Sequence, residues 1–344
     1  MESCKRPVIC LPAIDWQYLF HRPQQLMFEL SRAGHPVYYV NPNQVAGCLP
    51  EKAANNLWIY KDDNLIPDYI VNAAIYFIYL PWYSAIIQQG GGKFIVYDCI
   101  DDDPAFNGHE EQMLSHSDLV ICVSDELIKK HRDKHPHIML LPNGVDIDHY
   151  KPRKEPAPPD LADICDNAEA VIGFTGAFFN GWVDTGLLYY LASEHPKWHL
   201  VIIGEAYGWD FTNAPPNLYF LGRKPYEALP SYTRCFDAGL IPFLDNQIAR
   251  GADPVKLYEY LAAGIPVVTR NLPFARNITH PLVYKYDTRD EFIQAISAAL
   301  TDDKTAKNEN RKKRLAFASH YTWENQASIL LARLQQLTWL EALR

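Results

Sequence analysis

The chain lacks the short signatures of several common protein classes. No Gly-x-Gly-x-x-Gly follows any apolar run, which removes the main support for a dinucleotide-dependent oxidoreductase. No Cys-x-x-Cys is present, and no Cys/His cluster has the spacing of a zinc site. The seven cysteines are scattered, and three of them lie in apolar, strand-like runs. We therefore expect buried reduced thiols and a cytoplasmic location.

The sequence also lacks an excess of positive charge and an uninterrupted membrane span. The 32 Lys and Arg against 41 Asp and Glu give a formal net charge of −9, which argues against nonspecific nucleic-acid binding. The short basic runs 129–135 and 311–314 are typical of solvated helix faces, with a weak peripheral contact at the inner face of a membrane as the alternative. Polar residues and a proline interrupt the most apolar stretch, residues 69–87, which predicts a buried strand, a turn and a helix.

Apolar runs alternate with amphipathic helical stretches along almost the whole chain. This alternation predicts the α/β class, with parallel sheets that helices cover on both faces. A segment rich in proline and charge, residues 149–167, interrupts it. We predict two doubly wound domains, at 1–150 and 169–320, joined by a linker at 151–168 and followed by a helix at 321–344.

The stretch "ADPVKLYEYLAAGIPVV", residues 252–268, predicts a helix with a cation near its start. Asp253 is a good N-cap and Pro254 suits the first helical position. Lys256 then lies in the first turn, where the helix dipole disfavours a cation by roughly 0.3–1 kcal/mol. Glu259 follows at i+3 on the same side. The pair suits a phosphate attached to a hydroxylated sugar, and a solvated Lys–Glu pair is the alternative.

Other candidate phosphate ligands lie in the same half of the chain. Gly176, within "GFTGAFFNGW", follows a strand and precedes a helix, where glycine lets a phosphate approach the backbone. A structural turn explains it as well. Arg223, just past another strand, and Arg250 are candidates to join Lys256 on a diphosphate.

The amino-terminal half offers candidate proton acceptors in "YDCIDDDPAF", residues 97–106. Asp101 and Asp103 form an Asp-x-Asp pattern, which can hold Mg²⁺ or Mn²⁺ beside a diphosphate. Alternatively, one carboxylate is a general base, or the aspartates cap the loop before the proline. His109 is a further candidate base, although a lone histidine is more often structural.

A possible acceptor-side loop, "AIDWQYLFHRPQQL", follows the first strand. Asp15 and Trp16 are expected at the carboxyl end of that strand, and Arg22 just before a helix. Tryptophan stacks on sugar rings and arginine holds anions, whereas core packing explains Trp16 about equally well.

Three stretches resemble the GT-B fold glycosyltransferases, in particular group 1, also called family 4. They are "GFTGAFFNGWVDTGLLYYLASEHPKWHLVIIG", "VICVSDELIKKH…IMLLPNGVD" and "PVKLYEYLAAGIPVV". The segments "IDWQYLFHRPQQLM" and "IVYDCIDDD" are similar to a bacterial branch that builds surface polysaccharides and teichuronic-acid-type polymers. The resemblance implies two Rossmann-like domains facing a cleft, with the C-terminal helix returning to the N-terminal domain.

The resemblance also implies an activity and partners. The expected reaction is hexosyl transfer from a nucleoside-diphosphate sugar, UDP-linked by family analogy, to a hydroxyl of a glycan or lipid-linked acceptor. No cofactor and no metal are expected. The resemblance assigns the acceptor to the amino-terminal domain and the nucleotide sugar to the carboxy-terminal domain. Glu259 is implied to bind the ribose hydroxyls, Lys256 the diphosphate, and Gly176 to approach the phosphates.

One position departs from the family pattern. Family members typically carry two Glu eight positions apart, and the first would fall at Gly251. Donor-sugar contacts and stereochemistry are therefore open. Some relatives invert the anomeric centre with an amino-terminal Asp as base, which implies Asp101 or Asp102. A nucleotide-sugar epimerase, a phosphorylase and a non-catalytic nucleotide-sugar-binding subunit are the alternatives.

Overall fold

The computed structural model describes residues 5–87, 93–153, 155–179 and 181–342. The chain forms two compact units of interleaved segments. Unit 1 is Met1–Asn143, Gly251–Asp253 and Trp323–Arg344, and unit 2 is Gly144–Arg250 and Pro254–Thr322.

An eight-stranded sheet forms the centre of unit 1. Its strands are short and mostly apolar, as expected for a sheet buried on both faces. They are β1 Val8–Leu11, β2 Val37–Val40, β3 Glu51–Ala54, β4 Leu57–Tyr60, β5 Ile75–Ile78, β6 Phe94–Cys99, β7 Leu119–Cys122 and β8 Ile138–Leu140. The order is β3-β4-β2-β1-β5-β6-β7-β8. Only the edge strand β3 is antiparallel, and the strand order reverses between β1 and β5.

Five helices accompany this sheet along the amino-terminal half. They are α1 Arg22–Arg32, α2 Asp68–Val71, α3 Ser84–Ile87, α4 Glu110–His116 and α5 Asp125–His131. The helix α1 buries Leu26, Met27 and Leu30 on one face. A helix from the far end of the chain, Trp323–Ala342, packs against α1 within unit 1.

A six-stranded parallel sheet and a two-stranded one form unit 2. The strands are β9 Ala170–Thr175, β10 Phe178–Phe179, β11 Trp198–Ile203, β12 Ala206–Tyr207, β13 Leu218–Phe220, β14 Ala238–Ile241, β15 Val267–Arg270 and β16 Val283–Tyr286. The main order is β13-β11-β9-β14-β15-β16, and β10 pairs with β12. If these six strands are numbered 1 to 6 in chain order, their order in the sheet is 3-2-1-4-5-6, which is the Rossmann arrangement. The strand order reverses between β9 and β14.

The helices of unit 2 surround this sheet and complete its core. They are α6 Ile147–Tyr150, α7 Pro159–Asp166, α8 Thr185–Glu194, α9 Leu229–Thr233, α10 Gln247–Gly251, whose last residue belongs to unit 1, α11 Val255–Ala262 and α12 Arg289–Ala318. The helix Trp323–Ala342 of unit 1 is α13. Helix α7 lies inside the predicted linker. Its Leu161 is fully buried in the core of unit 2, so this part of the segment is folded.

The predicted α/β class and the predicted structure of the most apolar stretch are confirmed. That stretch contains β5, a single 3₁₀ turn at Pro81–Tyr83, and α3, as predicted, and it begins with residues 69–71 of α2, which were not predicted. No helix within the described ranges is both long and apolar enough to cross a bilayer.

Candidate functional site

The strand-order reversal in unit 2 creates the position where ligands bind in open α/β sheets. Gly176 follows β9 directly at this point, with φ +128°, a backbone conformation that favours glycine. Its N–H donates to the carbonyl of Ile203 over 2.9 Å. A Cβ on Gly204, just past β11, would lie 1.9 Å from the Gly176 carbonyl oxygen. Both glycines therefore let the two strand ends approach closely.

Tyr260 fixes α11 against this edge of the sheet. Its hydroxyl accepts hydrogen bonds from the backbone N–H of Thr175, over 2.7 Å, and from the Thr175 hydroxyl, over 3.1 Å. The Tyr260 ring lies over Gly239 in β14, where a Cβ would come within 2.4 Å of the ring. The first turn of α11 is thereby held close to the ends of β9 and β14.

The predicted cap of α11 is wrong. Pro254 is the N-cap residue, with no side-chain capping bond, and the helix begins at Val255. The Asp253 carboxylate instead accepts the N–H of Asn143 over 2.6 Å. The α11 amide groups thus have no capping side chain, and Lys256 is in the first turn as predicted.

Lys256 has an aromatic and glycine-lined environment. Its Nζ lies 5.3 Å from the centroid of the Phe174 ring and 5.1 Å from that of Phe243. A Cβ on Gly176 would lie 3.1 Å from Lys256 Cε. The ammonium has no hydrogen bond or ion pair with any residue in the described part of the chain. Burial lowers the pKa of Lys256 to about 8, which the charge of Glu259 partly opposes.

Glu259 lies one turn further along α11. Burial raises the pKa of its carboxyl to about 7, and the Tyr150 hydroxyl and the charge of Lys256 act in the opposite direction. The Tyr150 hydroxyl is buried beside the carboxylate without a well-formed hydrogen bond. The two charged groups thus share a poorly solvated environment that an anionic, hydroxylated ligand would stabilise.

The two arginines predicted to join Lys256 lie on the surface of unit 2. The Arg250 guanidinium donates to the Asp245 carboxylate over 2.6 and 3.0 Å. Arg223 lies three residues beyond β13 and is exposed. Their roles toward a diphosphate stay predictions.

An aromatic surface near the glycine turns was not predicted. Phe179 in β10 stacks on Tyr207 in β12, with ring centroids 4.5 Å apart and planes 8° apart. These strands follow the carboxyl ends of β9 and β11. Phe179 is 38% exposed, so the stack presents a face to solvent. The repeated aromatics at 178–182 and 207–211 were the available signal in the sequence.

In unit 1, the structure disagrees with the anion-binding role predicted for Arg22. Its guanidinium donates to both oxygens of the Asp98 carboxylate, over 2.8 Å each, and the Arg22 and Asp98 side chains are 3% and 0% exposed. A third nitrogen donates to the Pro142 carbonyl and the Asn143 side chain. A buried, bidentate pair of this kind holds α1 to β6, so the described geometry makes Arg22 a packing residue.

Asp15 and Trp16 lie past the carboxyl end of β1, as predicted. The Asp15 carboxylate accepts hydrogen bonds from the backbone N–H and the side chain of Asn43. Trp16 packs edge-on against Phe20 and Tyr39, with centroids 5.5 and 5.0 Å away. Trp16 is only partly exposed, so the packing interpretation holds alongside the predicted contact with an acceptor.

The candidate bases after β6 have different environments. Burial, helped by the charge of Asp103, raises the pKa of Asp101 to about 6. Asp102 accepts a 2.7 Å hydrogen bond from Lys130, and Asp103 caps the next turn through the N–H of Ala105. His109 is exposed at the start of α4. Asp103 therefore caps the loop, as the alternative interpretation predicted. Of these candidates, Asp101 has the environment best suited to a base near neutral pH.

Unit 1 also contains a cluster that the sequence did not reveal. Cys99, Glu110 and His131 are all buried, and each directs a possible metal-ligating atom toward the other two. They lie 11 and 21 positions apart in the sequence, without the spacing of any short zinc motif. Within the described ranges all six cysteines are free thiols, and Cys4 lies outside those ranges.

A family model and a curated relative each match part of the chain. The family model for Glycosyl transferases group 1 matches residues 170–302, which lie in unit 2 except for Gly251–Asp253. A curated relative is the "Putative teichuronic acid biosynthesis glycosyltransferase TuaH" of Bacillus subtilis (strain 168), 28% identical over 202 residues. That match covers 55% of this chain and 49% of the relative.

Solved structures match the chain over almost its whole length. Sucrose-phosphate synthase from Thermosynechococcus elongatus has a TM-score of 0.72 at 14% identity, covering 98% of this chain and 100% of that one. Trehalose-6-phosphate synthase from E. coli, bound with UDP-2-fluoro glucose, has 0.69 at 13%, covering 96% and 99%. Anabaena HepE in complex with UDP-glucose has 0.64 at 13%, covering 95% and 99%. The resemblance predicted from the sequence is therefore confirmed: this chain is similar to the group 1 glycosyltransferases and has the GT-B fold.

Proposed function

We propose that this protein transfers a sugar from a nucleoside-diphosphate sugar, with UDP as the nucleotide, to a hydroxyl of a glycan or lipid-linked acceptor in cell-envelope polysaccharide synthesis. The proposal places it in the cytoplasm, with a peripheral contact at the inner face of the membrane. The similarity to TuaH, a putative teichuronic acid biosynthesis glycosyltransferase, and to the structures bound with UDP-sugars supports this choice of substrate class.

One observation in unit 2 supports the proposal most strongly. The Lys256 ammonium has no anionic partner within 4 Å in the described ranges, yet lies in the first turn of an uncapped helix beside the Gly176 turn. Even a half-buried cation without an ionic partner is unfavourable. A diphosphate at this point would interact with the ammonium charge and with the N–H groups at the start of the helix, and the glycine would let it approach the backbone closely.

The reaction follows from charge development at the diphosphate. As the sugar–phosphate bond breaks, negative charge grows on the leaving nucleotide, and Lys256 with the α11 amides stabilises it. One such donor contributes roughly 2.7–4 kcal/mol in comparable sites. Glu259 accepts hydrogen bonds from the ribose hydroxyls and positions the nucleotide. Because these groups supply the positive charge, the proposed transfer needs no Mg²⁺ or Mn²⁺ at the diphosphate.

Proton removal from the acceptor is assigned to unit 1. Asp101, with its pKa of about 6, is the proposed base if the reaction inverts the anomeric centre. Asp102 is held by Lys130, which makes it the weaker candidate. Asp15 and Trp16, beyond the end of β1, are the proposed acceptor contacts.

Product analysis tests the proposal. The protein is incubated with UDP-, GDP- and dTDP-sugars, without added divalent cations, and nucleoside diphosphate release is measured with and without envelope glycans. We expect release from UDP-sugars that Lys256→Ala and Glu259→Ala each reduce at least 10-fold. Lys197→Ala is the matched control, because Lys197 is an exposed lysine of unit 2 paired with Glu169. Equal release from all four proteins would contradict the assigned site.

A second candidate, a non-catalytic nucleotide-sugar-binding subunit, is favoured by Gly251. A Cβ there would lie 2.7 Å from the Cβ of Asp102, so the local packing leaves little room for a glutamate. Tight UDP-sugar binding that Lys256→Ala abolishes, without release of nucleotide in the presence of acceptor glycans, would select this candidate over the transferase.

A further inference from the structure

The cluster of Cys99, Glu110 and His131 is separate from the residues assigned to the nucleotide sugar. Cys99 ends β6, Glu110 begins α4 and His131 ends α5, so three elements of unit 1 converge there. The three side chains are 0–7% exposed. Sulfur, carboxylate oxygen and imidazole nitrogen together are a donor set that suits a borderline-soft divalent ion.

The distances between the three ligand atoms match the edges of a metal tetrahedron. His131 Nε2 lies 3.3 Å from Glu110 Oε1. Cys99 Sγ lies 3.8 Å from His131 Nε2 and 3.8 Å from Glu110 Oε1. Usual Zn–S, Zn–N and Zn–O bond lengths at the tetrahedral angle give about 3.4 Å between nitrogen and oxygen and about 3.6 Å from sulfur to either.

The surroundings orient the ligands toward one point. Lys130 donates to Glu110 Oε2 over 2.8 Å, which leaves Oε1 directed at the cluster. Lys130 also binds Asp102, so its own charge is balanced. The Nδ1 atom of His131 has no hydrogen-bond partner in the described ranges, and the ring makes its polar contacts through Nε2. The contact from Lys130 to Glu110 is of the kind that fixes the orientation of metal ligands in known sites.

We propose that Cys99 Sγ, Glu110 Oε1 and His131 Nε2 bind one divalent transition-metal ion, best matched by Zn²⁺, as a structural site of unit 1. On binding, the ion replaces the thiol proton of Cys99 and any proton on His131 Nε2, and these protons leave to water. The fourth position is taken by water or by Cys122, which pairs with Cys99 across β6 and β7 and would release its own thiol proton to water on binding. The site is distinct from the proposed nucleotide ligands Lys256 and Glu259, which belong to unit 2, and it adjoins the proposed base Asp101, whose carbonyl lies 3.9 Å from Cys99 Sγ.

Cobalt(II) titration of the metal-stripped full-length protein tests the site, with zinc content measured in parallel. We expect one ion per chain and a near-ultraviolet thiolate-to-cobalt absorption that added zinc abolishes. Cys99→Ser should remove that absorption, and His131→Gln should weaken binding by roughly 100-fold or more. Cys10→Ser and His135→Gln are matched controls, since Cys10 is a buried thiol of the same sheet and both His135 nitrogens contact backbone carbonyls.

The wild-type titration decides the matter even if a variant fails to fold. No thiolate-to-cobalt absorption and no bound zinc at micromolar concentration would overturn the proposal. The cluster would then be a protonated, hydrogen-bonded network. Equal binding by the wild type and by a folded Cys99→Ser protein would likewise overturn it.

Discussion

Replacing Lys256 by methionine tests the nucleotide site most simply. Methionine keeps much of the length and apolar volume of the side chain and removes the charged hydrogen-bond donor. The variant is expected to fold, because the change removes a half-buried cation that lacks an ionic partner within 4 Å in the described ranges. A loss of nucleotide affinity would then reflect the missing ammonium and not a lost structure.

The lowered pKa of Lys256 sets the size of the effect. Burial lowers it from 10.5 to about 8, a difference worth roughly 3 kcal/mol at 1.36 kcal/mol per pKa unit. A bound diphosphate that restored the ordinary value would recover that free energy, which limits the effect to about 300-fold in Kd. Charge-assisted hydrogen bonds usually contribute about 1.5–3 kcal/mol. We therefore expect Lys256→Met to weaken UDP binding by about 10- to 150-fold.

The pH dependence gives a second, independent readout. Because a bound anion stabilises the ammonium, UDP affinity is fully present below the pKa of about 8 and falls as the pH rises through it. Isothermal titration calorimetry with UDP from pH 7 to 9 measures this slope. The difference between wild type and Lys256→Met isolates the lysine, since UDP itself titrates identically in both. The control variant Lys197→Met, which replaces an exposed lysine, should show the same pH dependence of UDP affinity as the wild type.

Two results would refute the reasoning. One is a Kd for UDP that Lys256→Met leaves within twofold of the wild type. The other is a parallel fall of affinity in both proteins between pH 8 and 9. Either result would mean that the nucleotide does not contact the first turn of α11.

Three further predictions concern other residues of the two units. Glu259→Gln should weaken UDP binding. The affinity of the wild type should fall below pH 7, because the Glu259 carboxylate, with a pKa of about 7, becomes protonated there, and the variant should lack this fall. Calorimetry with UDP at pH 5.5–7.5 measures both effects. Asp101→Asn should lower turnover by roughly 10²–10⁴-fold and leave the affinity for UDP unchanged. It should also abolish the acid limb that the pH–rate profile of the wild type shows near pH 6. A loss of UDP affinity in place of these effects would reject the role of Asp101 as the base. Tyr260→Phe should lower stability by about 1–3 kcal/mol in urea unfolding, because the Thr175 N–H and hydroxyl lose their acceptor, and an unchanged midpoint would contradict the contact.

The fold could be predicted because its signal is repeated along the chain. Each buried strand is a short apolar run between helices, and the alternation restarts after residue 168. The helix at 255–262 and the position of its lysine in the first turn could be predicted from the sequence, although the helix begins one residue later than predicted. These local periodicities survive because parallel sheets bury both faces of every central strand.

Features that depend on tertiary pairing were not predicted correctly. Arg22 resembled an exposed anion ligand at a helix start, but Asp98, 76 positions away, binds it in the core. Asp253 has the sequence context of an N-cap, but its carboxylate accepts a hydrogen bond from the backbone N–H of Asn143. In both cases a distant partner outcompetes the local interaction, and no local pattern identifies that partner.

The cluster of Cys99, Glu110 and His131 had no signal in the sequence for the same reason. Its members come from three elements, and their contacts depend on how β6, α4 and α5 pack. The sequence lacks a zinc motif, yet the structure brings the donor atoms within 3.8 Å of one another. Short motifs detect only those sites whose ligands lie close together along the chain.

The pKa of Lys256 itself, measured with and without UDP, tests the central claim most directly. Lysine labelled with ¹³C at Cε allows this by NMR, and Lys256→Met assigns the signal. We predict a value near 8 in the free protein that moves toward the ordinary 10.5 when UDP binds. A pKa of about 8 that saturating UDP leaves unchanged would contradict the claim that the diphosphate lies against this ammonium.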